Sequence, residues 1–322
     1  MRILVLGGTQ FLGRHAVNVA LARGHDVTLF NRGQTSPELF PTVEKLRGNR
    51  DGDLGALRGR SFDAVIDTSG YVPRVVAQTL DALGDVGHYT FVSSISAYAD
   101  LSAPPTEESP LAQLPEPSED REAHYGALKA LCEDAVRERF PDAFVPRPGL
   151  IVGPFDPTGR FTYWPTRIAA GGDVLAPAPT DTPSQVIDSR DLAAWIVEAA
   201  ERGVAGTYNA VGPAQPLGTI LQTCIEVTES DTELVWVDPA FLLEHDVGPW
   251  QELPLWLPDA EYAGMANISP ERAVTEGLTV RPLADTIRDT LAWALGGDAP
   301  PDSPASLARD KEQRILAAWA QR

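Results

Sequence analysis

The fold is decided by the stretch Arg2-Ile-Leu-Val-Leu-Gly-Gly-Thr-Gln-Phe-Leu-Gly13. Its first five residues are nearly all apolar, which is typical of a parallel strand buried on both faces. A glycine-rich turn follows, then an apolar helical pattern as far as Leu21, and the segment 25–30 predicts a second strand. Strand, turn, helix and strand predict a right-handed crossover whose helix N-terminus faces an anion.

A pyrophosphate suits this turn, because backbone N–H groups reach it where no side chain intervenes. The residues that we expect to line it are Gly7, Thr9, Gln10, Phe11, Leu12 and Gly13. Gly7 permits the tight turn, and Gly13 allows the helix to pack closely. Gln10 stands where the usual fingerprint has its central glycine, so the path of the pyrophosphate stays open at this point.

Composition excludes several classes of partner. The chain has 322 residues and a net charge of -19, so neither nucleic acid nor an anionic membrane is expected as a partner. Its 2 cysteines lack metal-ligand spacing, and no metal is expected. No signal peptide or run of about 20 apolar residues is recognised, which predicts a cytoplasmic protein.

Alternating strands and helices predict an α/β fold, a Rossmann-type doubly wound parallel sheet with a smaller C-terminal substrate-binding lobe. The predicted boundaries are 1–153 for the nucleotide-binding domain, with 185–211 returning to it, and 154–184 plus 212–298 for the substrate lobe. A linker and a final helix take 299–322. Between strand and helix, residues 99–121 form a long loop without periodicity.

Tyr125-Gly-Ala-Leu-Lys129 lies on the helix after that loop, and a spacing of four places phenol and ammonium on one face. With only three lysines in the chain, seven tyrosines give about 0.07 chance matches to this spacing. A neighbouring cation lowers the pKa of a phenol, so the pair could move a proton at a substrate oxygen.

Phe91-Val-Ser-Ser-Ile-Ser-Ala-Tyr98 follows the fifth predicted strand, at the edge where open α/β sheets bind ligands. Ser94 there could bind a substrate oxygen while Tyr125 handles the proton. The alternative is that these serines satisfy local backbone groups.

These motifs, with Arg147-Pro-Gly-Leu-Ile-Val-Gly-Pro154, resemble the extended short-chain dehydrogenase/reductases, the NAD(P)-dependent epimerase/dehydratase superfamily. The Gly-Gly-x-x-x-x-Gly form is similar to an atypical subgroup. The resemblance implies that Tyr125 is the general acid/base, Lys129 holds the nicotinamide ribose and lowers the pKa of Tyr125, and Ser94 orients the substrate. It also implies cofactor contacts, which are Thr68, Ser69, Pro148, Gly149 and Leu150.

The second strand ends in Asn31-Arg32, where an acidic residue would favour NAD. Arg32 can pair with a phosphate in bidentate geometry, which favours NADP, with NAD as the other option. The alternative is an ordinary surface arginine.

The resemblance implies NADP(H)-linked carbonyl reduction or alcohol oxidation on a small polar or sugar-like substrate, with sugar epimerisation as the alternative. Ile95-Ser96 stands where nucleotide-sugar dehydratases carry Asp-Glu, which disfavours elimination. Two further alternatives are an RNA-binding relative and a cofactor sensor without turnover. The superfamily often dimerises through the helix equivalent to that of Tyr125, so a homodimer is compatible with the sequence.

The expected substrate residues are Arg160, Tyr163 and Trp164, in the segment after Gly153. They could hold a polar or phosphorylated group between the lobes, or they could pack the joint. The sequence does not name the substrate.

Overall fold

The computed structural model describes residues 1–297 and 305–322. The chain divides into two compact units. The first unit comprises 1–149, 189–211 and 268–279, and the second comprises 150–188, 212–267 and 280–322.

The first unit contains a seven-stranded sheet in the spatial order β11-β6-β5-β4-β1-β2-β3. Its strands are β1 (Arg2–Leu6), β2 (Asp26–Asn31), β3 (Glu44–Arg47), β4 (Phe62–Asp67), β5 (Val86–Phe91), β6 (Phe144–Pro148) and β11 (Gly206–Ala210). All neighbouring pairs are parallel. Strand order reverses between β1 and β4, where such sheets bind ligands. The predicted fold class is therefore confirmed.

Helices cover this sheet on both faces. They are α1 (Phe11–Ala22), α2 (Pro73–Ala82), α3 (Tyr125–Arg139) and α5 (Ser189–Arg202), and the short α8 (Glu271–Thr275) also belongs to the unit. Helices α1 and α5 pack together, as do α2 and α3. Alternate residues of β1 explain the second pairing, because Leu4 and Leu6 join one buried cluster with Val76 and Leu80 of α2 and Val136 of α3.

The second unit is built from short strands and helices around its own apolar cluster. Its strands are β7 (Leu150–Val152), β8 (Asp173–Pro177), β9 (Pro183–Ser184), β10 (Val186–Asp188), β12 (Gln215–Pro216) and β13 (Glu233–Val237). Its helices are α4 (Tyr163–Ala169), α6 (Leu217–Thr228), α7 (Pro239–Glu244), α9 (Leu283–Leu295) and α10 (Arg309–Trp319).

The division differs from the predicted boundaries at Gly149 and Ser189, and residues 268–279, predicted in the substrate lobe, belong to the first unit. Strand β10 pairs with β7, with Val186 opposite Leu150, and is not a strand of the central sheet. Residues 185–188 and 150–153 therefore belong to the second unit. Helix α10 also belongs there, whereas the predicted linker before it lies largely in 298–304, outside the described residues.

Candidate active site at the carboxyl edge of the sheet

The glycine turn has the backbone that the sequence predicts. Gly7 and Gly8 have φ of 105° and 86°, a region that favours glycine. A Cβ on Gly13 would lie 2.9 Å from the Gly8 nitrogen, so only glycine lets α1 come this close to the turn. Gln10 is extended, with φ of -139°, and therefore needs no glycine. The missing central glycine leaves this backbone unstrained at Gln10.

The fit of a pyrophosphate rests on the start of α1. No side chain caps this helix and its first turn holds no acidic residue, so its first N–H groups are available to an anion. Thr9 and Leu12 are buried beside the turn, and Phe11 begins the helix with φ of 41°. The residues present thus fit the phosphates of a dinucleotide.

Thr68 and Ser69 lie next to this turn. Both hydroxyls donate to the Leu6 carbonyl at 3.1 Å, and a Cβ on Gly7 would lie 3.1 Å from the Thr68 Oγ1. The ends of β1 and β4 are therefore joined by side-chain hydrogen bonds at the point where strand order reverses.

Asn31 and Arg32 are neighbours in the chain, but only Asn31 is bonded to the glycine turn. The Asn31 amide donates to the Gly7 carbonyl at 2.8 Å, and its oxygen accepts from Gly33 N at 3.0 Å and from the Arg47 guanidinium. Asn31 thus ties the end of β2 to the turn. Arg32 is exposed, and within the described ranges it has no hydrogen bond or ion pair.

Ser94 and Tyr125 are brought together by a close approach of two backbones. A Cβ on Gly126 would overlap the Ser96 carbonyl oxygen, so glycine allows the start of α3 to rest on the turn after β5. The Ser94 Oγ accepts from Ser96 N at 3.1 Å, which is the local bonding that the alternative interpretation predicted. It also lies near enough to Tyr125 to lower the pKa of the phenol. The local bonding of Ser94 thus leaves its hydroxyl beside Tyr125, and its role toward a substrate stays a prediction.

Tyr125 is 38% exposed. Loss of water around its hydroxyl and the nearby Tyr71 phenol raise the pKa of Tyr125 to about 12, although the nearby Ser94 hydroxyl acts to lower it. The direction is opposite to the sequence-based expectation that Lys129 lowers this pKa. The physical reason is that the ammonium of Lys129 is bound elsewhere.

Lys129 is 3% exposed, and its Nζ donates to the carbonyl oxygens of Gly70 at 2.9 Å and Val92 at 2.6 Å. Burial lowers the pKa of Lys129 to about 8. The amine therefore lies beneath the loops that follow β4 and β5, one helical turn from Tyr125.

Pro148 ends β6, and a Cβ on Gly149 would lie 3.0 Å from Val211 and 3.6 Å from Ile95, beside Ser94. Gly149 thus stands at the same edge of the sheet. Leu150 begins β7 and belongs to the second unit.

The sequence analysis missed a buried ion pair at this edge. Arg50 donates both terminal nitrogens to Asp67 at 2.7 Å, and the Tyr89 hydroxyl donates to the same carboxylate at 3.1 Å. Asp67 is fully buried at the end of an apolar strand. That placement was the available signal, since a buried carboxylate requires a partner.

A second buried network lies beneath Ser94 and was also missed. Glu133 accepts from Ser93 Oγ at 2.5 Å and from Arg147 Nε and a terminal nitrogen at 2.9 and 2.7 Å. The guanidinium of Arg147 stacks on Tyr98, 4.7 Å from the ring centroid. The turn that carries Ser94 is therefore held from below by charged groups.

The three expected substrate residues lie in the second unit, and two of them are structural. Trp164 is fully buried, and its indole N–H donates to the Pro254 carbonyl at 2.8 Å. Tyr163 packs in the same apolar cluster, and the pKa of its hydroxyl is raised by burial and by Glu312. These two side chains pack inside the second unit. Arg160 is half-buried, and its guanidinium lies 5.7 Å from the Trp250 ring centroid.

No group of three or more His, Cys, Asp or Glu side chains placed to hold a metal occurs in the parts of the chain that the structure covers. In the same residues, no helix has the length and apolar character needed to cross a membrane.

Two curated proteins share part of the sequence. The chloroplast stem-loop binding protein of 41 kDa b from Arabidopsis thaliana is 26% identical over 214 residues, which are 60% of this chain and 53% of the relative. A UDP-glucose 4-epimerase from Erwinia amylovora is 30% identical over 169 residues, 43% of this chain and 48% of the relative. The matches thus span about half the length of each relative.

Solved structures share the fold at low identity. The UDP-glucuronic acid 4-epimerase from Bacillus cereus in complex with NAD has a TM-score of 0.67 at 15% identity, over 92% of this chain and 99% of that one. The UDP-N-acetylglucosamine 4-epimerase from Methanobrevibacter ruminantium M1 has a TM-score of 0.68 at 18% identity, over 92% and 98%. The nucleoside-diphosphate-sugar epimerase PA4631 from Pseudomonas aeruginosa has 0.67 at 21%, over 93% and 99%.

The glycine turn, the central sheet and the Tyr125–Lys129 helix all lie within one segment that matches a protein family. The family model for the NAD dependent epimerase/dehydratase family matches residues 3–211, which include all of these features. The chain therefore belongs to the NAD dependent epimerase/dehydratase family.

Proposed function

We propose that this protein is a nicotinamide-dependent epimerase that inverts a secondary alcohol of a sugar nucleotide. The observation that carries the proposal is the grouping of Ser94, Tyr125 and Lys129 near the glycine turn, where Ser94 lies close enough to Tyr125 to lower the pKa of the phenol. The similarity to epimerases favours this reaction over the net carbonyl reduction that the sequence analysis put first.

The proposed chemistry assigns one task to each side chain. Ser94 donates to the reacting oxygen of the substrate and orients it. Tyr125 takes the hydroxyl proton as the alcohol becomes a ketone, and returns it when the ketone is reduced from the opposite face. A bound nicotinamide supplies the hydride chemistry. Since the pKa of Tyr125 is about 12, its resting form at neutral pH is the protonated phenol, which must first release that proton to water before it can accept one from the substrate. This release would be favoured by the positive charge of a bound oxidised nicotinamide.

Further contacts to the cofactor belong to the proposal. The turn residues and α1 would hold the phosphates, Thr68 and Ser69 would lie beside them, and Lys129 would hold the nicotinamide ribose. Pro148, Gly149 and Leu150 would line the nicotinamide. We propose NADP, because the exposed Arg32 leaves a cation free for a 2′-phosphate, whereas similar structures bind NAD.

Of the three expected substrate residues, only Arg160 stays in the proposal. The Arg160 Nε and the Tyr163 hydroxyl are both buried without a hydrogen-bond partner in the described chain. Arg160 is half-buried, whereas Tyr163 is enclosed in the apolar cluster, which supports a role of Arg160 in holding a polar group of the substrate.

The test is incubation with UDP-glucose and either NADP⁺ or NAD⁺, followed by separation of the sugar nucleotides. We expect the C4 epimer to appear without net formation of reduced cofactor, and Tyr125→Phe to abolish it. Reduced cofactor formed in proportion to product would instead favour a dehydrogenase. Binding of each cofactor is measured by its fluorescence, and failure of both NADPH and NADH to bind would refute the proposal.

An RNA-binding function is the second candidate, because the Arabidopsis relative is named as a stem-loop binding protein. A net charge of -19 opposes it, since RNA binding requires a basic face. Tight binding of a stem-loop RNA in a gel-shift assay at low salt would reverse this preference.

A further inference from the structure

The ammonium of Lys129 lies in a cage of two carbonyls and two aromatic rings. Its Nζ donates to Gly70 and Val92, as described, and it lies 4.6 Å from the Phe91 ring centroid. The fourth wall is Tyr71, whose ring centroid is 5.2 Å from the same nitrogen. Cations within about 6 Å of an aromatic face are attracted to it.

Tyr71 also adjoins the proton-transfer residue. The ring centroids of Tyr71 and Tyr125 are 6.5 Å apart, with their planes tilted by 40°. Tyr71 is 38% exposed, unlike the fully buried Phe91 on the other side of the ammonium. Tyr71 is thus the outer wall of the cage and the neighbour of Tyr125.

We propose that Tyr71 is a positioning residue of this site, whose ring shields the Lys129 ammonium from water and holds it beneath Tyr125. The inference deepens the proposed function and rests on it for its link to catalysis. It assigns a role to the loop after β4, which follows the buried pair of Arg50 and Asp67. Because Gly70 gives its carbonyl to Lys129, this loop supplies two adjacent contacts to the ammonium.

Other charges act on Lys129 and must be accounted for. Cys132 and Glu133 reach it from its own helix, Asp67 from the end of β4, and Arg50 from the loop before β4. Arg121 lies 5.6 Å from the Tyr71 ring centroid. Arg121 loses its ring contact in Tyr71→Ala, but a cation nearer to Lys129 would lower the pKa of that amine, so a rise in this pKa reports the loss of the Tyr71 ring.

The experiment is an NMR titration of the full chain labelled with [ε-¹³C]lysine. Only Lys45, Lys129 and Lys311 contribute signals, and the variant Lys129→Arg identifies the relevant one. The variants are Tyr71→Phe, which keeps the ring, and Tyr71→Ala, which removes it. Tyr262→Ala is the matched control, because Tyr262 is similarly exposed and belongs to the second unit.

We expect Lys129 to titrate near 8 in the parent and in Tyr71→Phe. In Tyr71→Ala, water reaches the ammonium and its pKa rises by about 1 unit or more. An unchanged Lys129 in Tyr71→Ala overturns the proposal, and so does an equal rise in Tyr71→Phe. The Lys45 and Lys311 signals report folding; if they collapse, Tyr71→Ser takes the place of the alanine variant, with the same expected rise.

The kinetic arm uses the same variants. Tyr71→Ala should lower kcat about 10-fold, and Tyr71→Phe should restore it to within about 2-fold of the parent. An unchanged kcat with a raised Lys129 pKa would overturn the positioning role. The titration needs neither cofactor nor substrate, so a failed epimerase assay refutes the proposed function while the NMR result stands by itself.

Discussion

Two buried glutamates, one in each unit, have similar partners and different surroundings. Glu133 and Glu312 are both fully buried, and each accepts from a buried arginine, Arg147 and Arg167. Glu133 also binds Ser93, next to Ser94 in the turn after β5. Glu312 binds the backbone of Leu175 in β8 and so fastens α10 to a sheet. A buried Glu–Arg pair thus supports a candidate site in one unit, and a second pair of the same kind holds a terminal helix in the other.

The largest expected effect tests whether the region above Glu133 is catalytic at all. Tyr125→Phe removes only the hydroxyl that would move the proton. General acid–base catalysis contributes about 10²–10⁴-fold, so kcat for epimer formation should fall by that factor. Thermal unfolding should match the parent. Activity within about 2-fold of the parent would remove Tyr125 from the mechanism.

Breaking each pair separates the two roles. Removing one partner of a buried pair leaves the other charge uncompensated, so Glu133→Gln and Glu312→Gln should each lower the unfolding free energy by about 3–5 kcal/mol. Only Glu133→Gln should also lower kcat, because it alters the carboxylate that accepts from Ser93, the residue before Ser94. Denaturant titration and steady-state kinetics measure both quantities. Equal losses of kcat in the two variants would contradict the comparison.

Acid unfolding sharpens the same contrast. Burial acts to raise the pKa of Glu133, but the bonds and charge of Arg147 and the Ser93 hydroxyl bring it below the usual 4.5. Its contribution to stability is therefore complete above pH 4.5 and is lost as pH falls through the lower, folded-state pKa. We expect the unfolding free energy of Glu133→Gln to fall less steeply below pH 4.5 than that of the parent.

The cofactor preference should respond more modestly. Arg32→Ala should weaken NADPH binding about 10-fold, near 1.4 kcal/mol, and leave NADH unchanged. Cofactor fluorescence measures both. Arg58→Ala serves as a control, because Arg58 is also an exposed arginine but lies in the loop before β4 and not at the end of β2. Tighter NADH in the parent would refute the preference for NADP.

The smallest effect is expected at an exposed group of three charged side chains. Arg74 donates to Glu119 at 2.8 and 2.9 Å and to Asp51 at 2.7 Å, and all three side chains are exposed. Water and salt screen such pairs, so Arg74→Ala should melt at the same temperature as the parent. A clear drop in melting temperature would show that this group behaves like the buried pairs.

The sequence was most informative where one residue type has one physical use. Gly7 and Gly13 are required by backbone conformation and close approach, and the apolar strand runs identify a buried parallel sheet. The Tyr125–Lys129 spacing locates both groups on α3. The loop predicted over 99–121 is followed by a separate turn before α3 begins at Tyr125, and in that turn Asp120 accepts from the N–H groups of Glu122 and Ala123.

Partners of buried charges were beyond sequence reasoning. Arg50 and Asp67 are 17 residues apart, and Glu133 and Arg147 are 14 apart across a helix and a strand. Pattern rules describe neighbours on one element, whereas these pairs depend on how elements pack. The same limit explains Trp164, whose indole partner, Pro254, is 90 residues away.

Gly126 gives the site an unusual sensitivity to one methyl group. Helix α3 carries Tyr125 at its first residue and Lys129 one turn later, and Gly126 lies against the Ser96 carbonyl. A methyl group at position 126 would overlap the Ser96 carbonyl oxygen and push the N-terminal end of α3 away from the turn after β5. Both reactive groups would then move away from Ser94 together, while the helix itself stayed intact. Loss of activity without loss of helix content is the failure to expect from that position.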